Sequence, residues 1–277
     1  MECKLEQGTI HYETYGDGRP MLVLHGGYLD HRHMVSVMEP LFDQRAGWQR
    51  IYPDLPGHGR SKVADSVSSH DHVLDVIQDF MHEICLKQNY VVAGESRGGY
   101  LARGLVYKNP EMIDGALFIV PGRYAIAQDD SLPAHATLVK DEAVVSELEP
   151  HEAHRFAKLV VQSRQTLEKI RNYKIPASEL ADDDFQARVM ENYEFSFDVD
   201  KPTIPFTKPT LILLGRQDTE VGYRDAWKMV EIFPRATFAI IDMAGHSLSW
   251  EQEDLFNCLA SEWIRRVEGF IGVRTNT

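Results

Sequence analysis

Short apolar runs alternate with longer segments of helical spacing along most of the chain. Apolar runs that end at turn residues predict six strands, at 20–25, 49–53, 90–93, 115–120, 210–214 and 236–241. Residues 4–15 alternate around Gly8 and Thr9, which predicts a β-hairpin. Helical spacing predicts helices at 33–42, 69–86, 97–109, 226–233 and 251–267. Strands that alternate with helices predict a mostly parallel, eight-stranded sheet with helices on both faces.

Residues 122–203 interrupt this alternation and contain no predicted strand. Helical spacing predicts helices at 136–148, 151–173 and about 184–193, and the three aspartates at 182–184 favour a helix start. The segment carries ten Lys/Arg against 16 Asp/Glu, and predicted strands lie on both sides of it. We therefore expect an all-helical insertion at 122–203, within an α/β core formed by residues 1–121 and 204–277.

Composition narrows the class of protein. The 277 residues are 43% hydrophobic and 26% charged, which is typical of a globular protein with a substantial core. A net charge of −13 argues against nucleic acid as a partner, because phosphate contacts require a basic surface. Apolar runs stay below the roughly 18 residues of a membrane span, and the first residues lack a secretory pattern.

The cysteines point to a reducing compartment. Cys3, Cys85 and Cys258 are odd in number and widely spaced, which argues against a disulfide framework or a zinc site. We expect a cytoplasmic protein with a small-molecule substrate and with neither a nucleic-acid nor a membrane partner. Its oligomeric state stays open between monomer and homodimer.

The segment from Gly94 to Gly98 reads GESRG, which fits the pattern G-x-S-x-G between a predicted strand and a predicted helix. A serine that projects from a sharp strand-to-helix turn needs small residues two positions away on either side, because larger side chains would clash across the turn. Ser96 is therefore a candidate nucleophile. The pentapeptide alone fits equally well with a serine that only caps the helix.

Three further segments decide between these interpretations. His25-Gly26-Gly27, Asp218 and His246 each follow a different predicted strand. Taken singly, they fit a tight turn, a surface aspartate and an incidental histidine. Taken together, the order Ser96, Asp218, His246 is that of a nucleophile, an acid and a base, and the carboxyl ends of parallel strands meet at one edge of a sheet.

These segments resemble the α/β-hydrolase superfamily of the serine-nucleophile, helical-cap type. The matching pieces are HGG at 25–27, PDLPGHGRS at 53–61, GESRGG at 94–99, LLGRQD at 213–218 and AGHS at 244–247. The resemblance implies an α/β-hydrolase fold whose helical cap is the insertion at 122–203. It also implies that Asp54, Gly57 and Gly59 stabilise a turn beside the active site.

The expected chemistry is acyl transfer to water. Ser96 would attack a carbonyl carbon, His246 would take its proton, and Asp218 would orient the imidazole. The backbone N–H groups of Gly27 and Arg97 would bind the oxyanion, and the reaction needs neither a metal nor an organic cofactor. Asp242 is a weaker candidate for the acid, because a residue four positions before His246 rarely aligns with the far ring nitrogen.

The expected activity is that of a carboxylesterase, and several alternatives stay open. Epoxide hydrolases and dehalogenases of this superfamily carry aspartate at the elbow, so Ser96 argues against them. Ring-fission-product hydrolases, lactonases and cofactor-free perhydrolases use serine as well. A proline iminopeptidase-like peptidase is less favoured, because such enzymes typically have tryptophan where this chain has Arg97. A ligand receptor with slow turnover is the alternative outside the enzymes.

Aromatic residues near these motifs are the candidates for the substrate pocket. Tyr28, Tyr100 and Tyr124 are candidate pocket residues, of which Tyr28 is favoured, whereas we expect Tyr193, Phe195 and Phe197 to pack inside the cap. We expect the Arg97 side chain to be a solvated charge rather than a contact for an acidic substrate. An acidic cap disfavours a polyanion such as coenzyme A, so small, neutral, partly apolar esters are the expected substrates.

Overall fold

A computed structural model describes residues 1–86, 88–122 and 132–272. Its main sheet contains nine strands in the described residues: eight follow the order β1-β2-β4-β3-β6-β7-β10-β11, and the short strand β5 pairs with β2 beside this path. The strands of this sheet are β1 (Glu2–Leu5), β2 (Gly8–Tyr15), β3 (Arg19–Leu24), β4 (Trp48–Pro53), β5 (Lys62–Val63), β6 (Tyr90–Glu95), β7 (Ile113–Ile119), β10 (Thr210–Gly215) and β11 (Ala236–Ile241).

The pairing confirms a mostly parallel sheet. Strands β4, β3, β6, β7, β10 and β11 run parallel to one another, and antiparallel pairs occur only around β2 within the described residues. Leu24 lies opposite Gly94, Glu95 lies opposite Ile119, and Gly215 lies opposite Ile241. The carboxyl ends of the central strands therefore share one edge, which is where open α/β sheets bind ligands.

Helices cover both faces of this sheet. They are α1 (His31–Met38), α2 (His70–Cys85), α3 (Arg97–Lys108), α9 (Met229–Ile232), α10 (Leu248–Glu251) and α11 (Glu253–Ile271). Alternate residues of β3 face opposite sides: Leu22 packs in a core with residues of α2 and α3, and Met21 packs in a second core with residues of α1 and α11. No helix in the described ranges has the length and apolar character to span a bilayer.

The segment between β7 and β10 is mainly helical. Its described elements are the strands β8 (Val139–Lys140) and β9 (Val161–Gln162), and the helices α4 (Glu142–Ser146), α5 (Pro150–Phe156), α6 (Arg164–Lys169), α7 (Ile175–Ser178) and α8 (Asp183–Met190). Helix α8 begins at the predicted aspartates, and the Asp182 carboxylate accepts a hydrogen bond from the Phe185 N–H at 3.0 Å.

The prediction that this segment lacks strands is wrong. β8 and β9 pair in parallel, so the predicted helix at 136–148 shortens to α4 and the one at 151–173 divides into α5 and α6. A contact from outside the segment accompanies this break: the Val160 N–H, just after α5, donates to the buried Glu251 carboxylate at 2.6 Å. Ser163 then caps α6 by accepting from the Thr166 N–H.

The Asp54 carboxylate organises the turn that follows β4. Its oxygens accept from the backbone N–H and Nδ1 of His31, from His11 Nδ1 and from the Arg60 N–H, at 2.7 to 3.0 Å. Gly59 has φ of +51°, and a Cβ on it would lie 2.3 Å from Asp54 Oδ2. The expected role of this loop as a structural turn is confirmed.

This network makes stability depend on pH. Burial by itself would raise the pKa of Asp54, but its hydrogen bonds and the neighbouring histidines hold the pKa well below the ordinary value. A carboxylate whose pKa is lower in the folded than in the unfolded state stabilises the fold while it is ionised. This stabilisation is complete above the unfolded-state pKa of about 4 and is lost progressively as the pH falls below that value. We expect Asp54→Asn to lower the free energy of unfolding at pH 7 by about 1–3 kcal/mol, because charged hydrogen bonds are lost.

Urea unfolding followed between pH 3 and pH 7 measures this effect. Asp54→Asn should flatten the loss of stability below pH 4, whereas Asp43→Asn, at an exposed carboxylate, should leave it unchanged. Equal pH profiles for Asp54→Asn and the wild type would contradict the role given to Asp54.

Candidate active site

Ser96 lies on a sharp turn between β6 and α3. Its backbone has φ of 52° and ψ of −118°, a conformation that residues with a side chain rarely adopt. A Cβ on Gly94 would lie 2.3 Å from the Gly98 carbonyl oxygen, and a Cβ on Gly98 would lie 2.3 Å from that of Leu24. The two glycines thus remove the clashes that the sequence pattern anticipated.

Backbone hydrogen bonds hold this strained residue in place. The Ser96 N–H donates to the Ile119 carbonyl at 2.9 Å, and the Ser96 carbonyl accepts from the N–H groups of Tyr100 and Gly122. The Ser96 side chain makes no capping hydrogen bond to α3. Its hydroxyl is therefore directed away from the helix backbone, and the helix-cap interpretation is wrong.

The structure brings Ser96, His246 and Asp218 into one hydrogen-bonded chain. Ser96 Oγ lies 2.9 Å from His246 Nε2, and His246 Nδ1 donates to Asp218 Oδ2 at 2.9 Å. Asp218 is fully buried, and its other oxygen accepts from the N–H groups of Glu220 and Val221 at 2.8 and 3.1 Å. These bonds fix the carboxylate, and the carboxylate fixes the imidazole orientation.

The charges around His246 favour its protonated form. Desolvation lowers the pKa of His246, but the Asp218 and Glu220 carboxylates outweigh desolvation and raise the pKa to about 9. Glu220 Oε2 lies 3.7 Å from Nε2, the ring nitrogen that faces Ser96. The proximity of His246 in turn lowers the pKa of Glu220.

Asp242 does not compete for the imidazole. Its carboxylate is exposed and accepts from Gln217 Nε2 at 2.7 Å. Within the described residues it makes neither a hydrogen bond nor an ion pair to His246. Of the two aspartates considered from the sequence, Asp218 is the one that contacts His246.

The backbone N–H groups of Gly27 and Arg97 are free of acceptors among the described residues. Both residues line the cavity at Ser96. His25 fixes the Gly26-Gly27 loop: its Nδ1 donates to the Gly26 carbonyl at 2.7 Å, and its Nε2 accepts from the Leu55 N–H at 2.9 Å. Burial lowers the pKa of His25 to about 4, which keeps the ring neutral as this pattern requires.

Two buried glutamates, missed by the sequence analysis, support the site. Glu95 contacts His33 Nε2 at 2.7 Å and accepts from Ser249 Oγ at 3.1 Å. Glu251 accepts from the Gly245 N–H, next to His246, and from the Val160 N–H in the inserted segment, each at 2.6 Å. In the sequence, both glutamates look like ordinary helix-end acids, so only the fold reveals these contacts.

A cavity of about 240 Å³ opens at Ser96. We call it the Ser96 cavity, and its lining residues are Gly26, Gly27, Tyr28, Leu29, His33, Glu95, Ser96, Arg97, Gly122, Lys174, Met190, Tyr193, Glu220, Val221, His246, Ser247 and Trp250. Tyr28 lines it, in line with its place as the favoured candidate. Tyr124 lies outside the described residues.

Tyr100 is not a lining residue, so that prediction is wrong. Its ring is buried and stacks on Tyr193 and Phe195, and its hydroxyl accepts from the Phe195 N–H at 3.0 Å. One turn into α3, its side chain points into the core rather than toward the strand ends. Phe195 and Phe197 stack at 4.8 Å, as expected for packing, whereas Tyr193 also reaches the cavity.

The Arg97 side chain is not a solvated charge, which corrects the sequence interpretation. The residue is 7% exposed, and its guanidinium donates to Gln186 Oε1 and to Met190 Sδ of α8. Because α8 covers this end of α3, the side chain that begins the helix is enclosed. Burial lowers the pKa of Arg97.

One group in the described part of the chain has metal-ligand geometry. His11, His31 and Asp54 place their ligand atoms within 4.8 Å of one another. Both histidines bond to the Asp54 carboxylate through Nδ1, so hydrogen bonds already satisfy the oxygens that a cation would use. We assign this group to the turn after β4 rather than to a metal centre.

Comparisons with known proteins agree with the fold. A family model described as alpha/beta hydrolase fold matches residues 19–253. The chain belongs to the α/β-hydrolase fold family, and within that family it is a hydrolase.

Its relatives include a methyl ester esterase and a second hydrolase with a different named substrate. A pimeloyl-[acyl-carrier protein] methyl ester esterase of Legionella pneumophila (strain Paris) is 24% identical over 93% of this chain and 100% of the relative. A 2-hydroxy-6-oxononadienedioate/2-hydroxy-6-oxononatrienedioate hydrolase of Burkholderia vietnamiensis is 23% identical over 95% of this chain and 94% of the relative. A crystal structure of an alpha/beta superfamily hydrolase from Oenococcus oeni shares the fold with a TM-score of 0.85, at 24% identity over 97% of this chain and 99% of that one.

The turn at Ser96 predicts opposite effects of the same substitution at two helical glycines. Alanine normally stabilises a helix relative to glycine by about 0.5–1 kcal/mol, and Gly269→Ala in α11 should do so because nothing lies within 4 Å of the added Cβ. Gly98→Ala should instead destabilise by roughly 1–3 kcal/mol, because its Cβ meets the Leu24 backbone.

Urea unfolding of the two variants measures these changes. If Gly98→Ala and Gly269→Ala had equal free energies of unfolding, the contact between α3 and β3 would not be tight.

Proposed function

We propose that this protein is a serine esterase that cleaves a small, partly apolar ester through an acyl-enzyme. The hydrogen-bonded chain from buried Asp218 through His246 to Ser96 carries the proposal, because it ends at a hydroxyl beside an accessible cavity. A serine hydroxyl is a weak nucleophile unless an adjacent base takes its proton. The 2.9 Å contact with His246 Nε2 supplies such a base.

The reaction proceeds in two halves. Neutral His246 takes the Ser96 proton while Oγ bonds to the ester carbonyl carbon, and Asp218 stabilises the resulting imidazolium. His246 then protonates the departing alkoxide, which leaves as an alcohol. A water molecule, deprotonated by His246, attacks the acyl-enzyme, and the carboxylic acid leaves as Ser96 regains its proton. These steps use groups of the chain and water, without a cofactor.

Gly27 and Arg97 supply the oxyanion hole in this proposal. Their backbone N–H groups have no acceptor among the described residues, and both border the cavity at Ser96. Each such donor typically contributes about 3 kcal/mol of transition-state stabilisation. The Gly26-Gly27 loop keeps its position through His25, which bonds both to that loop and to Leu55.

The inserted segment closes the cavity as a cap that we place at residues 122–203. Lys174, Met190 and Tyr193 of this segment line the Ser96 cavity. A volume of about 240 Å³ is smaller than the roughly 300–1,000 Å³ of sites for drug-sized ligands, which favours a small ester. Partial cover by a cap reduces the bulk water around the developing charges, which strengthens the electrostatic interactions in the site.

Hydrolysis of a ring-fission product is the second candidate function. Similarity to the Burkholderia vietnamiensis hydrolase covers 95% of this chain, nearly the same share as similarity to the Legionella esterase. The two candidates are separated by assaying methyl esters and 2-hydroxy-6-oxo-dienoates side by side. We expect higher kcat/KM for the esters; the reverse order would assign the protein to carbon–carbon hydrolysis.

The assignment of Asp218 predicts unequal effects at two aspartates. Asp218→Asn should lower kcat for p-nitrophenyl acetate by roughly 10⁴-fold, because an amide no longer holds the catalytic tautomer of His246. Asp242→Asn should change kcat by less than about twofold, because its partner is Gln217 at the surface. Steady-state kinetics at pH 8 measure both. Near-normal turnover by Asp218→Asn would exclude Asp218 as the acid.

The raised pKa of His246 predicts an alkaline rate profile. Protonated Nε2 cannot accept the serine proton, so kcat/KM should rise with pH and level off above the His246 pKa of about 9. Glu220→Gln should move the inflection to lower pH by roughly one unit, because charges 3.7 Å apart interact by about 1 kcal/mol even in water-like surroundings.

A pH series with p-nitrophenyl acetate, corrected for spontaneous hydrolysis, tests this shift. Glu231→Gln removes an exposed carboxylate of α9 and should leave the inflection in place. Identical profiles for Glu220→Gln and the wild type would show that Glu220 does not act on His246.

A further inference from the structure

Arg97 places a buried positive charge in the wall of the Ser96 cavity. Its guanidinium lies against the Gly27 backbone, since a Cβ on Gly27 would be 3.3 Å from Arg97 Cζ. A buried guanidinium normally has a carboxylate partner, because removal of a charge from water is costly. Among the described residues, no carboxylate lies within 4.0 Å of the Arg97 nitrogens.

The side chains that hold Arg97 are neutral. Gln186 is fully buried, and its Nε2 donates to the Gly57 carbonyl at 3.0 Å, so its Oε1 faces the guanidinium. Met190 offers only its thioether sulfur. His58 lies next to Gln186, and burial lowers the pKa of His58 well below its ordinary value, which keeps the ring uncharged. These contacts position Arg97 without neutralising it.

The two carboxylates of the cavity lie beside histidines. Glu95 contacts His33, and Glu220 lies beside His246. Lys174 is half-buried and its pKa is lowered by desolvation, with the Glu220 carboxylate acting in the opposite direction. Among the described lining residues, Arg97 and Lys174 both lack a carboxylate within 4.0 Å, and Arg97 is the more deeply buried of the two.

We propose that the Arg97 guanidinium binds a carboxylate of the substrate. The esters cleaved are then monoanions, such as half-esters of short dicarboxylic acids or acyl esters of hydroxy acids. This inference rests on the proposed esterase function and corrects the expectation of a neutral substrate. The planar fork of arginine matches a carboxylate with two parallel hydrogen bonds. A net charge of −13 disfavours large polyanions, so a small monoanion fits both the cavity and the surface.

The test compares charged and neutral esters of equal chain length. Monomethyl succinate, glutarate and adipate are paired with methyl butanoate, pentanoate and hexanoate, and acetoxyacetate is paired with ethyl acetate. Acid release in a pH-stat gives kcat/KM for each ester, and the readout is the ratio of the charged to the neutral ester. We expect this ratio to exceed one in at least one pair.

Arg97→Met should lower the ratio of that pair by roughly 10- to 100-fold, because that is the usual effect of losing a charged hydrogen bond. The loss should appear mainly as a higher KM for the charged ester. Gln186→Glu keeps Arg97 but gives its guanidinium a carboxylate partner within the protein. This variant should therefore also lower the ratio, and it replaces Arg97→Met in the test if Arg97→Met fails to fold. Arg188→Met is the matched control: it removes a positive charge from α8 outside the cavity and should leave the ratio unchanged.

Three results would overturn the proposal. The first is a ratio of one or less in every pair for the wild type. The second is an equal loss of charged and neutral turnover in Arg97→Met, which would indicate a structural or oxyanion role. The third is a ratio that falls in Lys174→Met or Arg188→Met but not in Arg97→Met.

Direct binding separates this inference from the esterase proposal. Glutarate contains no ester, so calorimetric titration of glutarate into the wild type and Arg97→Met needs no turnover. Glutarate binding that is lost in Arg97→Met supports the carboxylate site even if no ester is hydrolysed. Ester hydrolysis without charge preference, together with no glutarate binding, removes the inference and leaves the esterase function standing.

Discussion

The close approach of α3 to the end of β3 is the constraint on which the site depends. Gly98 lies so near the Leu24 carbonyl that no side chain fits between them, and this contact forces the chain to reverse at Ser96 with a positive φ. As a result, Ser96 lies at the edge of the sheet where the parallel strands end. The helix that begins there leaves the Arg97 N–H without an acceptor among the described residues, and Arg97 lines the same cavity. The same backbone contact therefore positions both the Ser96 hydroxyl and the N-terminus of α3, the end of a helix that favours negative charge.

Buried carboxylates hold the loops around this contact. Asp54, Glu95, Asp218 and Glu251 are all buried, and each accepts hydrogen bonds from a loop or helix end at the rim of the sheet. A buried carboxylate is tolerated only when its oxygens are paired, so each one specifies the conformation of the segment it binds. Glu251 has the widest reach, because it ties the His246 loop to the inserted segment.

The sequence allowed prediction of features that depend on local sterics or on the regular spacing of apolar residues. The glycines that flank Ser96, the alternation of strands and helices and the N-cap at Asp182 each depend on residues a few positions apart. Contacts across the fold were not predictable in this way. The Glu251–Val160 bond joins residues far apart in the chain and creates a strand where helical spacing favours a helix. The burial of Arg97 depends on Gln186, which local patterns do not connect with it.

Covalent labelling with a fluorophosphonate tests the central claim most directly, because the reagent reacts far faster with a serine whose proton is removed by a nearby base than with an ordinary serine. Intact-mass and peptide mass spectrometry would count and locate the label. An activated Ser96 predicts one label per chain, on the peptide that contains residue 96, and no label after His246→Ala. Absence of labelling, or a label on another residue, would contradict the view that this geometry makes Ser96 a nucleophile.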